Sequence, residues 1–386
     1  MTMLRDIKII DLTTVIFGPY ATQMLADMGA EVIKVETPMI GDVSLYLGNG
    51  RDNDPTMGSI HLTVNRGKQS IALDLKNPED AEVLCRLIRE ADVFIHNVRG
   101  KAMERLGFDY ESCRKLKPDL IYLHCTGFGQ HGPYADLQAY DDVIQAATGT
   151  TTLLPRVDGV DRPRYLPSLI ADKVAGLYGA QAILAALVHR LRSGEGQMVE
   201  VPMFECFTNF IMTEHLRDAS YVPPVGPAGY PRQLEPSRQP FPTADGYMAI
   251  VPYTADSTQR LLDLLGSSDL LSSEPYLQAA ASGDGMPLVY KEIALKTPKH
   301  TTAEWLELFA AHDIPAMPVR DLEDVVNDPH LVATDFFRKK QHPDVGDYLE
   351  MQPPLKFGAM PNAELGHAPR LDANGPAIRA RLQKSN

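Results

Sequence analysis

The stretch from Ile7 to Glu36, IKIIDLTTVIFGPYATQMLADMGAEVIKVE, decides the fold. Ile7 to Leu12 is a short apolar run, as expected of a strand buried on both faces. Gly18-Pro19 then marks a turn, and proline suits a first helical turn because that position has no intrahelical N–H bond to lose. The helix is expected to run to about Met28, where Gly29 is placed as a C-terminal cap, and Glu31 to Val35 reads as a second strand. A strand, a helix and a second strand in this order predict a βαβ unit.

The same grammar repeats downstream. Ser70 to Leu75 reads as a strand, Asn77-Pro78 as an N-cap followed by a first-turn proline, and Asp80 as the acid of a capping box. Ala81, Leu84, Cys85 and Ile88 mark one face of the helix that follows. Val93 to His96 and Leu120 to Cys125 are further strands, the latter ending in the Gly-rich loop Thr126 to Pro133. Lys173 to Arg192 is the clearest helix, with Asp172 immediately before it. This alternation predicts an α/β fold with a Rossmann-like parallel sheet as a large domain. Composition shifts to Pro, Gly and Arg from about Tyr221, and an Asp-Gly hairpin turn at Asp245-Gly246 follows. The expected division is a large α/β domain over 1–220, a linker and smaller α+β domain over 221–320, and a segment over 321–386 that returns to the large domain.

The chain has 386 residues, 44% hydrophobic and 23% charged, the balance of an ordinary globular protein. Its net charge of -13 argues against nucleic acid or an anionic membrane surface as a partner, since both demand a cationic field. Four scattered cysteines with no C-x-x-C pair predict a reducing compartment, and the charges in the first residues do not resemble a signal peptide. No apolar stretch is read as approaching the roughly 20 residues that span a bilayer. A cytoplasmic location is expected.

Several chemistries are weakly supported. The dinucleotide fingerprint needs three glycines, but only Gly18 is present, although Glu36 stands where a ribose-binding acid would. There is no P-loop and no H-E-x-x-H, so no metal is expected. Cys125 with His131 would make a thiol and a base, but a buried strand cysteine and an exposed loop histidine explain both. Asp172 has two readings. As an N-cap it would contribute about 1 kcal/mol to the helix. As a carboxylate kept ionised by a helix N-terminus, it would be able to attack an acyl thioester and form a mixed anhydride. Spacing alone leaves both open.

The order of several motifs narrows the choice. Ile9-Ile10-Asp11-Leu12, Gly18-Pro19, LADMGAEVIKVE (25–36), Asn65-Arg66-Gly67-Lys68, the run Ser70 to Lys76, Ala91-Asp92-Val93 through Asn97, and TGFGQHGP (126–133) come in sequence. Ala171-Asp172-Lys173, Gly194-Glu195-Gly196-Gln197, Ile314-Pro315, Pro318-Val319 and Asp328-Pro329-His330 follow. Together they resemble the class III CoA-transferases, the family of formyl-CoA transferase and carnitine CoA-transferase, over nearly the whole chain.

That resemblance implies coenzyme A, presented as an acyl-CoA donor, and a carboxylic acid acceptor, often a dicarboxylate with succinyl-CoA as donor. It implies Asp172 as the nucleophile, passing through an anhydride and an aspartyl-CoA thioester without ATP. It also implies a CoA site lined by Val15, Leu73, Lys76, Asn97 and Arg105, with Arg66 and Lys68 as further phosphate-binding candidates. Tyr140 would support the active site, and the chain would form an interlocked homodimer. A racemase branch of the family pairs its aspartate with a histidine where this chain has Tyr140, the residue the transferase branch uses, so an α-methylacyl-CoA racemase is the minor, alternative reading. Ile16 stands where formyl-CoA transferases carry a glutamine, Thr37 stands where the family has a CoA-contacting arginine, and a run of four glycines is absent. Ile16 and the missing glycine run argue against formate and oxalate as substrates, and Thr37 removes one adenine-side CoA contact. Arg156, Arg162, Arg164, Arg232 and Arg238 are candidates to bind the distal carboxylate of a dicarboxylate acceptor.

Overall fold

Alternation along β1 (Lys8–Leu12) sends Ile9 to one face of a sheet and Ile10 to the other, and each side chain enters a separate core. The other parallel strands are β2 (Glu31–Glu36), β3 (Gln69–Ala72), β4 (Val93–His96), β5 (Ile121–Thr126) and β6 (Gln197–Pro202), in the order β3-β2-β1-β4-β5-β6. This is the doubly wound Rossmann order, whose reversal falls between β1 and β4. A computed structural model describes residues 2–51, 54, 56–359 and 364–384.

On one face, Ile9, Val32, Val93, Ile95 and Leu123 pack with the helices Phe17–Asp27 and Ile170–Ser193. On the other, Ile10, Ile33, Ile71 and Phe94 pack with the helix Pro78–Glu90 and with Ile378 and Leu382 of the C-terminal helix Gly375–Lys384. β10 (Phe337–His342) and β11 (Gly346–Met351) form an antiparallel hairpin in the same unit.

The chain divides into two compact units. The first runs to Thr151, resumes over Tyr165–Thr213 and again from Val332, while the second comprises Thr152–Arg164 and Glu214–Leu331. The breaks fall at 213/214 and 331/332 rather than 220/221 and 320/321, and 152–164 belongs with the second unit. That unit has a three-stranded antiparallel sheet of β7 (Phe241–Pro242), β8 (Tyr247–Ile250) and β9 (Ala316–Pro318). Its own core includes Met248, Leu261, Ile293, Trp305 and Phe309. At the β7–β8 turn, Thr243 N–H donates to the Gly246 carbonyl at 2.8 Å.

Local details depart from the sequence reading in three places. β3 stops at Ala72 because Asp74 starts a turn, accepting Lys76 N–H at 3.1 Å on its side chain and Asn77 N–H at 2.8 Å on its carbonyl. Asn77 caps the next helix, but Asp80 reaches back to Asp74 N–H at 2.8 Å instead of closing a capping box. The helix Ile170–Ser193 has the length and apolar composition to cross a bilayer, contrary to the expectation that no stretch would. Here Ala171, Ala175, Ile183 and Leu187 build its inner side into the first core.

Beneath the carboxyl ends of β1 and β2 lies a buried ionic network. Asp11 accepts from Thr13 N–H at 2.9 Å, Thr13 Oγ1 at 2.5 Å, Thr22 Oγ1 at 2.6 Å and Lys68 Nζ at 3.0 Å. Lys34, opposite Asp11 in the sheet, gives its ammonium to the Thr13 carbonyl and to Asp42 Oδ2, both at 2.7 Å. Asp42 Oδ1 in turn accepts Val15 N–H at 2.9 Å and Ser44 N–H at 2.8 Å. Burial opposes ionisation of Asp11, yet Lys68, Lys34 and the two hydroxyls hold its carboxyl far below the usual range. Burial likewise opposes charge on Lys34, and Asp42, Asp11 and Glu36 outweigh it and raise its pKa.

Both side chains of the Lys34–Asp42 pair are fully buried, so removing one partner strands the other without solvent. Lys34→Met should cost about 3–5 kcal/mol in chemical denaturation. Lys101→Met, which breaks an exposed pair with Asp136, should leave the midpoint almost unchanged. Equal midpoints for the two variants would show that the network does not hold the fold.

Candidate active site

The loop that leaves β1 is pinned residue by residue. Thr13 is held by Asp11 and Lys34. Thr14 is gripped by Asn97, which accepts its N–H at 3.2 Å and donates Nδ2 to its carbonyl at 3.0 Å. Val15 is held by Asp42 with φ of 74°, a left-handed conformation rare for a β-branched residue. Gly18 follows because a Cβ there would lie 2.4 Å from Thr13. The result is a fixed turn at the β1/β4 reversal, outside the carboxyl ends of the strands, where open α/β sheets bind ligands.

Asp172 lies in the first turn of the helix Ile170–Ser193, whose N-cap is Leu169. It is therefore not the cap that its sequence position suggested. Asp141 plays that role from outside: its Oδ1 accepts the N–H groups of Ala171 at 2.7 Å and Asp172 at 3.1 Å. Gln145, one turn further along the helix Asp141–Ala147, donates to Asp141 Oδ2 at 2.6 Å and to the carbonyls of Leu166 and Ser168. Its Oε1 accepts Leu166 N–H at 2.9 Å, so the pair clamps the entry to the long helix.

This arrangement reverses the expected electrostatics of Asp172. The helix N–H groups that would have stabilised its charge are spent on a second carboxylate. Burial raises its pKa, the Asp141 charge raises it further, and one N–H bond from Phe17 only partly compensates, leaving it at about 7. Asp172 is 7% exposed. The Phe17 contact depends on close helix packing: a Cβ at Gly176 would stand 2.9 Å from the Phe17 carbonyl oxygen.

The remaining sequence candidates fall into three groups. Val15 and Asn97 meet through Thr14, and Leu73 is buried just past β3, with its N–H on the Glu36 carbonyl. Lys76, and Arg105 on the helix Gly100–Leu106, are exposed. Arg66 and Lys68 are not offered to a phosphate. Arg66 makes a two-point pair with Asp27 at 3.0 and 2.7 Å, and Lys68 is buried on Asp11, Asn65 and the Pro19 carbonyl. Burial lowers Lys68 to about 8, which still leaves it its proton at neutral pH. Tyr140 is 65% exposed and directly precedes the buried Asp141. Glu36 is buried and occupied by Ser70 Oγ and Asp42 N–H, so it is closed to a ribose. Cys125 is sealed in the first core with its thiol pKa pushed up by burial, which removes it as a nucleophile. All five candidate acceptor arginines lie in the second unit.

Sequence reasoning missed Asp141 and Gln145. Their i, i+4 spacing was visible, but nothing local linked them to a helix entry some thirty residues later.

A fixed turn at the sheet reversal, beside a buried carboxylate of raised pKa, is a place where thioester chemistry can occur away from water. Comparison with known proteins gives the family. The family model for CoA-transferase family III matches residues 4–375. The succinate–glutarate CoA-transferase of Agrobacterium fabrum is 35% identical over 86% of this chain and 83% of its own length. A formyl-CoA:oxalate CoA-transferase of Afipia carboxidovorans is 30% identical over 95% and 91% of the two chains. The crystal structure of a CAIB/BAIF family protein from Brucella suis superposes with a TM-score of 0.81 at 29% identity, covering 99% of both chains. The chain belongs to CoA-transferase family III and is a class III CoA-transferase.

Proposed function

We propose that this enzyme moves CoA from succinyl-CoA to a second carboxylic acid through covalent intermediates on Asp172. The observation that carries the reading is the buried Asp172 carboxylate, whose pKa of about 7 makes it more nucleophilic than a solvated aspartate. Its oxygen attacks the donor thioester carbonyl, and the C–S bond breaks to give a mixed anhydride and CoA thiolate. The thiolate attacks the aspartyl carbonyl, the donor acid leaves as a carboxylate, and an aspartyl-CoA thioester remains. The acceptor carboxylate then attacks that thioester and expels the thiolate. The thiolate attacks the acceptor's acyl carbon, so that the new thioester forms and the Asp172 carboxylate returns. Phe17 N–H is positioned to follow the charge that develops on the aspartyl oxygen.

CoA lies, in this reading, over the carboxyl ends of the first unit's strands. Val15 and Asn97 line the reversal point, Leu73 lies at the end of β3, and the exposed Lys76 and Arg105 meet phosphates. Arg66 and Lys68 act underneath, by holding the fold. Four free cysteines fit a cytoplasmic enzyme. Leu177, Val188 and Leu191, exposed on the helix Ile170–Ser193, fit a homodimer contact. A monomeric mass in solution would refute the dimer.

Asp172→Asn should lower CoA transfer by at least about a thousandfold. Hydroxylamine trapping should also lose the aspartyl adduct that wild type gives on incubation with succinyl-CoA, and retained turnover would sink the mechanism. α-Carbon deuterium uptake in D2O without an acceptor acid would instead favour a racemase.

Because the free base attacks, wild-type kcat/KM should rise with pH through about 7. Folding has the opposite dependence. The folded chain holds the Asp172 proton more tightly than the unfolded one, so this group's contribution to stability falls as pH rises from about 4 to about 7. Asp172→Asn should therefore have a larger unfolding free energy than wild type at pH 8, by no more than about 4 kcal/mol in chemical denaturation, and the gap should close towards pH 4.

Asp141→Asn keeps an oxygen for the helix N–H groups and removes the charge that raises Asp172. Its pH–rate profile should move to lower pH. A loss of activity with an unmoved profile would assign Asp141 a purely structural part.

A further inference from the structure

The second unit contains a cavity of about 160 Å³ lined by Arg232 and Arg238, two of the five arginines that the sequence offers for a distal carboxylate. Its apolar wall comes from Phe241 and the segment Ala249 to Pro252, at the end of β8. The polar groups that line it include two arginines, Arg232 and Arg238, and Tyr290, and among the described residues no acidic side chain lines it. Tyr290 is only 3% exposed and its hydroxyl makes no hydrogen bond of good geometry, although the Arg232 guanidinium approaches it. A guanidinium can only donate, so the buried phenolic proton of Tyr290 has no acceptor among the described residues, which is costly and calls for an explanation.

The surrounding contacts hold these groups in place. Arg232 lies over the Tyr253 ring, 4.4 Å from its centroid, which fixes the guanidinium plane. Arg238 is steadied by Gln233 Oε1 at 2.9 Å. Tyr290 is set in the core of the unit beside Phe241. Two guanidinium groups and a phenolic O–H are donors, with positive charge and no neighbouring carboxylate to satisfy them. An anion satisfies all three. The apolar wall selects among anions: inorganic phosphate or sulfate would present oxygens to hydrocarbon, whereas an aliphatic acid can lay its chain there.

We propose that this cavity is a binding site for a short aliphatic carboxylate, held by Arg232, Arg238 and the Tyr290 hydroxyl. The site is complete within the second unit and does not depend on the chemistry assigned to Asp172.

Equilibrium dialysis of radiolabelled glutarate against the full-length protein, without CoA, tests it. Wild type and Asp172→Asn should bind alike. Tyr290→Phe, which keeps the ring and removes only the donor, should weaken binding about tenfold, the value of one charge-assisted hydrogen bond. Arg232→Gln should weaken it at least as much, and unlabelled phosphate should compete poorly. If Tyr290→Phe lowers the melting temperature, Arg232→Gln and Arg238→Gln carry the test, since both arginines are only partly buried. Unchanged affinity in the Tyr290 and arginine variants overturns the proposal. So does binding that disappears in Asp172→Asn alone, which would place glutarate at the reactive carboxylate, and so does equal competition by phosphate, which would mean generic anion attraction.

Discussion

Two buried cations, Lys34 and Lys68, meet two buried carboxylates, Asp11 and Asp42, and the turn above them has little freedom left. Charges are expensive inside a protein, and each is tolerable here only because the others remain. The network's hydrogen bonds end on the backbone of Thr13 and Val15, so electrostatic interdependence becomes backbone geometry. That explains how a valine can be kept at φ 74°. A strained residue persists where its surroundings over-determine it, and such positions cluster around ligands. The same turn leads into the helix whose first N–H, that of Phe17, reaches Asp172.

Two aspartates compete for one helix entrance. Asp141 takes the free N–H groups, and Asp172 receives burial and a like charge in their place. Burial and the Asp141 charge thus raise the basicity of Asp172, and the helix N-terminus does little to oppose them because its donors are already occupied. For a nucleophile that must attack a thioester at neutral pH, this is a useful compromise: basic enough to react, yet able to ionise. Glycine at 176 has a related purpose, since any side chain there would push the Phe17 backbone away.

The two units divide the polar chemistry unevenly. In the first, most buried charges are matched by counter-charges and serve the turn at the sheet reversal. In the second, the cavity beside Tyr290 gathers two guanidinium groups and a phenolic hydroxyl with no carboxylate among its lining residues.

The sequence by itself determined the parallel α/β layer, because strand and helix periodicities are local and the runs Ile7–Leu12, Glu31–Val35 and Val93–His96 carry them plainly. It also placed Asn97, Val15 and Asp172 near strand or helix ends, where the motif order pointed. Only the tertiary structure decided what the charges do. Arg66 and Lys68 are phosphate-binding candidates on the strength of the family resemblance and their charge, yet they are consumed by Asp27 and Asp11, residues 39 and 57 positions away. Asp172 read as an ionised cap, yet Asp141, 31 residues earlier, holds that position and raises its pKa. Periodicity is written between neighbours along the chain, whereas desolvation and ion pairing depend on distance through space, which is fixed only once the chain has folded.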